Sequence, residues 1–212
     1  FNTMAREISS LLSNRTTLLA GISHDLRTPL TRMRLALALL PDDVDPGLVA
    51  RFERNLEAMD GLIGDALRFA RGATELPQAV ELGAFVADVL GSFDPPVPLE
   101  RSAVVTEPVQ VAPGALQRIL VNLVNNGLQH GDDVRVVLDG RDIHVIDAGP
   151  GIPAEARDEV FQPFFRLDHS RNVGTGGSGL GLAIVHQLCQ AQGWRVRIDE
   201  APGGGADVVV SI

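Results

Sequence analysis

No lysine occurs among the 212 residues; all 18 basic side chains are arginine. A P-loop needs Gly-Lys before Ser or Thr, so that nucleotide site is excluded, and with it Schiff-base lysine chemistry. The single cysteine, Cys189, excludes an internal disulfide and predicts a reducing compartment. No apolar run approaches the roughly 18 residues of a membrane span, and no secretory leader is visible. The chain begins at Phe1 without a methionine, which predicts a fragment, with any membrane anchor lying upstream. Positive charge is in short supply, 18 Arg against 27 Asp and Glu, and the net charge of -9 argues against nucleic acid as a partner. Repeats and low-complexity segments are also missing.

What is present predicts a globular chain of one large or two small domains, at 45% hydrophobic and 21% charged residues. Over residues 1–40, Leu11, Leu18, Ile22, Leu26, Leu30, Met33, Leu37 and Leu40 step by three, four or seven, the pattern of one long helix. "PDDVDPG", 41–47, is a turn. Residues 48–71 carry a second stripe of Leu48, Phe52, Leu56, Met59, Ile63, Leu67 and Ala70. Two long helices on a short turn form an antiparallel hairpin, and pairing two copies into a four-helix bundle would bury the seam. Boundaries are expected at 1–72 for the hairpin, 73–79 for a linker and 80–212 for a second domain.

In that second domain, a short strand enters a helix at "VELGAFVADVLGSF", an amphipathic helix runs from near Pro113 to Gly131, and two strands flank Gly140 and Arg141. A glycine-rich entry then leads into "GLGLAIVHQLCQAQG", and a final hairpin turns around Pro202 to Gly205. Helices alternating with antiparallel hairpins predict an α+β sandwich.

Four stretches carry possible chemistry. Asn122 and Asn126 are i and i+4 on the amphipathic helix, so they share a face; amide oxygens suit magnesium, although asparagines on a helix are equally ordinary surface residues. "DAGPGIP", 147–153, ends a strand; Asp147 can accept a hydrogen bond from an exocyclic amine, and Gly149 and Gly151 permit close approach of the backbone, or simply make a turn. "FQPFFRLDHSR", 161–171, places three phenylalanines with Arg166 and Arg171 in a loop. "GTGGSGLGLAIV", 174–185, supplies backbone amides and a helix N-terminus able to hold phosphates.

Taken in this order, the stretches resemble the asparagine, Asp-x-Gly-x-Gly, phenylalanine and second glycine boxes of the ATP-binding domain of sensor histidine kinases, a Bergerat-type fold, over residues 80–212. "SHDLRTPL", 23–30, resembles the family's phosphoacceptor motif in a dimerisation and histidine-phosphotransfer hairpin. The whole is closest to sensor histidine kinases of the osmosensor EnvZ type. The resemblance implies ATP and Mg2+ as cofactors. It implies Asn126 as magnesium ligand, Asn122 at phosphate or supporting the site, and Asp147 on the adenine amino group with Gly149 and Gly151 lining the base pocket. His130, Arg166 and Arg171 join the nucleotide site; Gly177, Ser178, Gly179, Leu180 and Gly181 belong to a lid over the triphosphate. Gln129 stands where relatives often carry Arg or Lys, so Arg166 or Arg171 would compensate, and Asn125 adds a third asparagine. The implied activity is an ATP-dependent protein-histidine kinase of a two-component system. It would be a homodimer that passes its phosphoryl group to an OmpR-like response regulator receiver domain. It would sit at the cytoplasmic face of a bacterial inner membrane, attached only through missing N-terminal segments. The alternatives are a serine kinase or ATPase clamp on the same ATP-binding fold, or an adaptor with a degenerate site.

The helical wheel places the motif on one face, and the resemblance implies its chemistry. With Ile22 at zero, the stripe from Leu26 to Leu37 falls within about 80°, His24 at about 200° and Thr28 at about 240°. His24 and Thr28 are therefore expected on the solvent face. A neutral imidazole can attack the γ-phosphate while Asp25 orients the ring and takes its proton. Thr28 brings a hydroxyl for the reverse reaction on the regulator, and Pro29 removes one backbone bond. Thr31, Leu35 and Leu39, at about 180°, 220° and 260°, extend this face; Leu35 and Leu39 are expected to anchor a helix of the regulator, the alternative being that they pack inside the lower bundle.

Overall fold

The computed structural model describes residues 26–41, 44–71, 75–103, 107–167 and 179–212. The chain divides into two compact units, Phe1–Arg71 and Gly72–Ile212. In the first, helix α1 covers 26–38 and continues through Pro29, and helix α2 spans Pro46–Arg71. The second helix starts two residues before the expected Leu48. The reason is its cap: Asp45 Oδ1 accepts the Gly47 amide at 2.9 Å and Pro46 fills the first helical position, where a missing N–H costs nothing. Arg27 Nε meets Asp60 Oδ1 at 3.2 Å, an exposed ion pair between the two antiparallel helices.

The two stripes are graded by angle in the same way. On α1, Leu30 at about 80° on the wheel is 4% exposed, whereas Met33 and Leu26, at about 20–40°, are both 46% exposed. On α2, counted from Leu48, Leu56 at about 80° is 5% exposed, whereas Leu48, Met59 and Phe52, at about 0–40°, are 46%, 48% and 51% exposed. One edge of each stripe closes the hairpin and the other edge is apolar and open.

The second unit is α+β. Helix α3 spans Leu82–Gly91, α4 Pro113–His130 and α5 Gly181–Gln192. Strands β2 Leu99–Ala103, β4 Arg135–Asp139, β5 Asp142–Ile146, β6 Arg195–Glu200 and β7 Ala206–Ser211 form one sheet in the order β2-β4-β5-β7-β6. All pairs are antiparallel except β2 with β4. A small second sheet pairs β1 Gln78–Val80 with β3 Val109–Val111, so β1 begins inside the stretch 73–79. Alternation puts Val136, Leu138, Ile143, Val145, Val208 and Val210 on one face, all buried. Against them pack Leu116, Ile119, Leu120 and Leu123 of α4, Val86 and Leu90 of α3, and Ile184 and Leu188 of α5. The core spends the apolar face of α4, which turns its asparagine face toward α5 and the strand ends.

Candidate nucleotide site

Helix α4 runs from Pro113 to His130 without a polar residue on its core face. Asn122 and Asn126 are half-buried, and Asn125, Gln129 and His130 are exposed. Asn122 Nδ2 donates to Arg118 O at 2.7 Å, which fixes the amide so that Oδ1 faces the start of α5; a Cβ added at Gly181 would lie 3.6 Å from it. Gly127 lies buried in the same helix, where a Cβ would come within 3.0 Å of Val134. That small residue lets α4 sit close to the strand ends.

Asp147 follows β5 and is half-buried. Its Oδ1 accepts the Gly149 amide at 2.9 Å and the Ala206 amide at 3.3 Å, which orients the carboxylate. Three glycines clear space around it. A Cβ at Gly131 would be 2.7 Å from Asp147 Oδ1, one at Gly149 would be 2.6 Å from His130 O, and one at Gly205 would land on Asp147 O. Gly151 holds φ +73 against the Gly205 carbonyl. An open cleft of about 470 Å³ lies between Leu128–Asp132 and Ala148–Pro150.

The phenylalanine stretch and the glycine lid meet. Phe164 takes a left-handed backbone, φ 66, and its amide donates to Gly179 O at 2.9 Å. Gly179, at φ +66, faces Phe164 Cα at 3.0 Å, so a side chain there would meet immovable backbone. Phe161 stacks with His186 of α5 at 5.2 Å between ring centroids. Leu180 buries its side chain, 1% exposed, leaving only its backbone to face a ligand. Helix α5 has no side-chain cap, and the amides of Gly181, Leu182 and Ala183 precede its first internal bond, Ile184 N to Leu180 O. Arg166 is exposed just beyond Phe165.

Among the described residues no group of three His, Cys, Asp or Glu could cage a metal. The available donors are the amide oxygens of α4, a set that fits magnesium only when phosphate oxygens and water complete its shell. On α1, Thr28 is exposed, as is Leu35 at 60%, and Leu39 in the turn that follows is 74% exposed. His24, Asp25, Arg171, Gly177 and Ser178 lie outside the described residues. The parts that sequence reasoning missed are Gly205 and Ala206, which brace Asp147, and the pairing of Phe164 with Gly179. The only local signal for the first was the run of three glycines at 203–205, all at positive φ.

This fold, with a carboxylate packed among glycines beside an asparagine-bearing helix, is that of an ATPase-type nucleotide-binding domain. Residues 112–212 match the family described as HATPase_c, "Histidine kinase-, DNA gyrase B-, and HSP90-like ATPase". Residues 14–75 match HisKA, "His Kinase A (phospho-acceptor) domain". The chain belongs to the sensor histidine kinases. It is 34% identical to the sensor protein RstB of Escherichia coli K12 over 97% of this chain and 50% of that protein. It is 33% identical to the sensor histidine kinase CpxA of the same organism over 99% of this chain and 49% of that protein. The chain thus spans about half the length of these curated relatives. The crystal structure of full-length ShkA in complex with AMPPNP is 26% identical, with a TM-score of 0.69 over 92% of this chain and 45% of that one.

Proposed function

We propose that the chain is the catalytic core of an ATP-dependent protein-histidine kinase that phosphorylates His24. The observation that carries this reading is Asp147: its carboxylate is held by two backbone amides and closely packed by glycines, next to the cleft between Leu128–Asp132 and Ala148–Pro150. Oδ2 takes the amino group of adenine, and Gly149 and Gly151 admit the base. His130 and Arg166 border the nucleotide, as does Arg171. The uncapped amides of α5, with Gly177, Ser178, Gly179, Leu180 and Gly181, close on the phosphates. Asn126 holds magnesium and Asn122 supports it through its fixed Oδ1. Bound magnesium neutralises phosphate charge, which is the main electrostatic demand of phosphoryl transfer.

In the reaction, Asp25 orients the His24 ring and accepts its proton as the imidazole attacks the γ-phosphate, the bond to the β,γ-bridging oxygen breaks and ADP leaves. The phosphoryl group then passes to an aspartate of an OmpR-like receiver domain, and Thr28 serves the reverse hydrolysis. The open apolar edge of the hairpin is covered by a second copy, giving a homodimer. Leu35 and Leu39 dock the regulator, and the whole protein works at the cytoplasmic face of a bacterial inner membrane.

Labelling with γ-phosphate-labelled ATP tests this. An acid-labile, base-stable label is expected on the wild type and none on His24→Gln, with Mg-ATP binding unchanged in the variant. Label on serine or threonine, or loss of ATP affinity in His24→Gln, would overturn it.

A further inference from the structure

The sheet face away from the helices carries a side-chain pair with no part in the nucleotide site described above. His144 stands between the buried Ile143 and Val145 of β5, so strand alternation turns it to the opposite face; Asp207 stands between the buried Ala206 and Val208 of β7 and shares that face. The register sets His144 against Val209, which makes Asp207 its diagonal neighbour. His144 Nδ1 lies 3.0 Å from Asp207 Oδ2 and 3.2 Å from Oδ1, and the two side chains are only 21% and 13% exposed. A carboxylate only accepts, so the ring nitrogen donates. Directly across from Asp207 on β6 stands Asp199, whose carboxylate is taken by Arg197 Nε at 2.8 Å. Like charges directly opposite push strands apart; Arg197 occupies one carboxylate and His144 the other. The turn before β7 cannot fix where the strand begins, because a Cβ on Gly203 or Gly204 would meet nothing within 4 Å. Yet that beginning matters to the site. The Ala206 carbonyl accepts the Asp147 amide at 3.0 Å, and the Ala206 amide donates to Asp147 Oδ1 at 3.3 Å, the longer of the two bonds on that oxygen.

We propose that His144 is a positioning residue for the nucleotide: through Asp207 it holds the start of β7, and through the Ala206 amide it keeps the Asp147 carboxylate in the orientation that receives the base. A hydrogen bond to an ionised carboxylate is roughly twice as strong as a neutral one, and this one is largely covered from water. Without it, Asp207 is left facing Asp199 and the residue beside it, Ala206, loses its brace. The Ala206 bond to Asp147 is already at the long end of good geometry, so a small shift of β7 breaks it. Asp147 is then oriented only by the Gly149 amide of its own turn, and binding the base has to supply the missing order. The Nδ1 proton is present in the cation and in the neutral tautomer that donates here, so the brace is a fixed support and not a switch. The inference rests on the reading of Asp147 as the group that binds adenine.

Calorimetry, hydrogen exchange and steady-state labelling of the full chain test it. His144→Val keeps a strand-forming residue between its cross-strand neighbours Val137 and Val209 but removes the donor. It is expected to speed deuterium exchange at the Ala206 amide, to raise the Kd and KM for Mg-ATP about fivefold, and to leave kcat at saturating ATP within about twofold. His144→Asn, whose amide nitrogen can stand where Nδ1 does, is expected to recover most of the affinity. Asp207→Asn weakens the same bond from the other side and is expected to raise KM in the same direction, which keeps the proposal testable if His144→Val folds poorly. In an Asp147→Asn background, His144→Val is expected to change affinity by less than about twofold, because the carboxylate that it positions is gone. Unchanged Ala206 exchange or unchanged ATP affinity in His144→Val would overturn the proposal. An equal loss of affinity in the Asp147→Asn background, or a fall in kcat at unchanged KM, would also overturn it and reduce His144 to a support of the sheet. A wild type that binds Mg-ATP but labels no histidine would sink the kinase reading, while the affinity and exchange measurements would still decide the role of His144.

Discussion

Asp147 is aimed by backbone amides, not by other side chains. Asp147→Asn keeps a carbonyl oxygen for those amides but changes the oxygen facing the ligand. It is expected to fold normally and to lose more than about 1 kcal/mol of ATP affinity, roughly fivefold or more in Kd by calorimetry. The glycines divide into two kinds. Gly179 is required by the protein itself, because φ +66 and the Phe164 backbone exclude a side chain. Gly179→Ala should cost about 1–2 kcal/mol in the absence of ligand, measured by urea unfolding. Gly181 meets only Asn122 Oδ1, at an ordinary 3.6 Å. Gly181→Ala should therefore melt like the wild type and lose affinity only for nucleotide. Asp147, Gly149 and Gly151 were legible in the sequence because they form one short box. Ala206 was not, because its amide reaches Asp147 across 59 positions and carries no side-chain signature.

At the level of elements, the sequence pattern located all five described α-helices, since each buries one stripe. Strands β2 and β3 escaped it. β3 has three residues and β2 reads Leu-Glu-Arg-Ser-Ala, a largely exposed edge with no alternation to detect. The hairpin makes two opposed predictions. Leu56→Ala removes a side chain from the closed edge of the hairpin and should cost about 2–5 kcal/mol. Leu35→Ser alters an exposed position and should slow transfer to the regulator at unchanged melting temperature. A melting point lowered by several degrees, with normal transfer, would place Leu35 in the packing. On α5, burial pushes the Cys189 thiol up to about 12 from 9.0. The folded chain holds this proton more tightly than the unfolded chain, so stability is full below about pH 9 and declines toward pH 12. Unfolding curves of Cys189→Ala should lack that part of the decline.

For the whole molecule, the matched gradients on α1 and α2 predict assembly. Phe52→Asp places a charge on the open apolar edge and should shift the chain from dimer toward monomer in sedimentation, while spectroscopic helix content is largely kept. The stripes were legible in the sequence; which edge each helix uses for its own partner was not, because a wheel gives angle and not the direction of the neighbour.

The mixed sheet also implies an order of assembly. β4 with β5 and β6 with β7 are joined by short turns, so each pair closes a small loop. β2 reaches its parallel partner β4 only after β3 and all of α4 have intervened. Closing that longer loop carries the larger entropic cost, and as an edge strand β2 has a single neighbour to repay it. In refolding followed by pulsed hydrogen exchange, the amides of β5 and β7 should gain protection first and those of β2 last. In the native protein the same strand should be the first to fray.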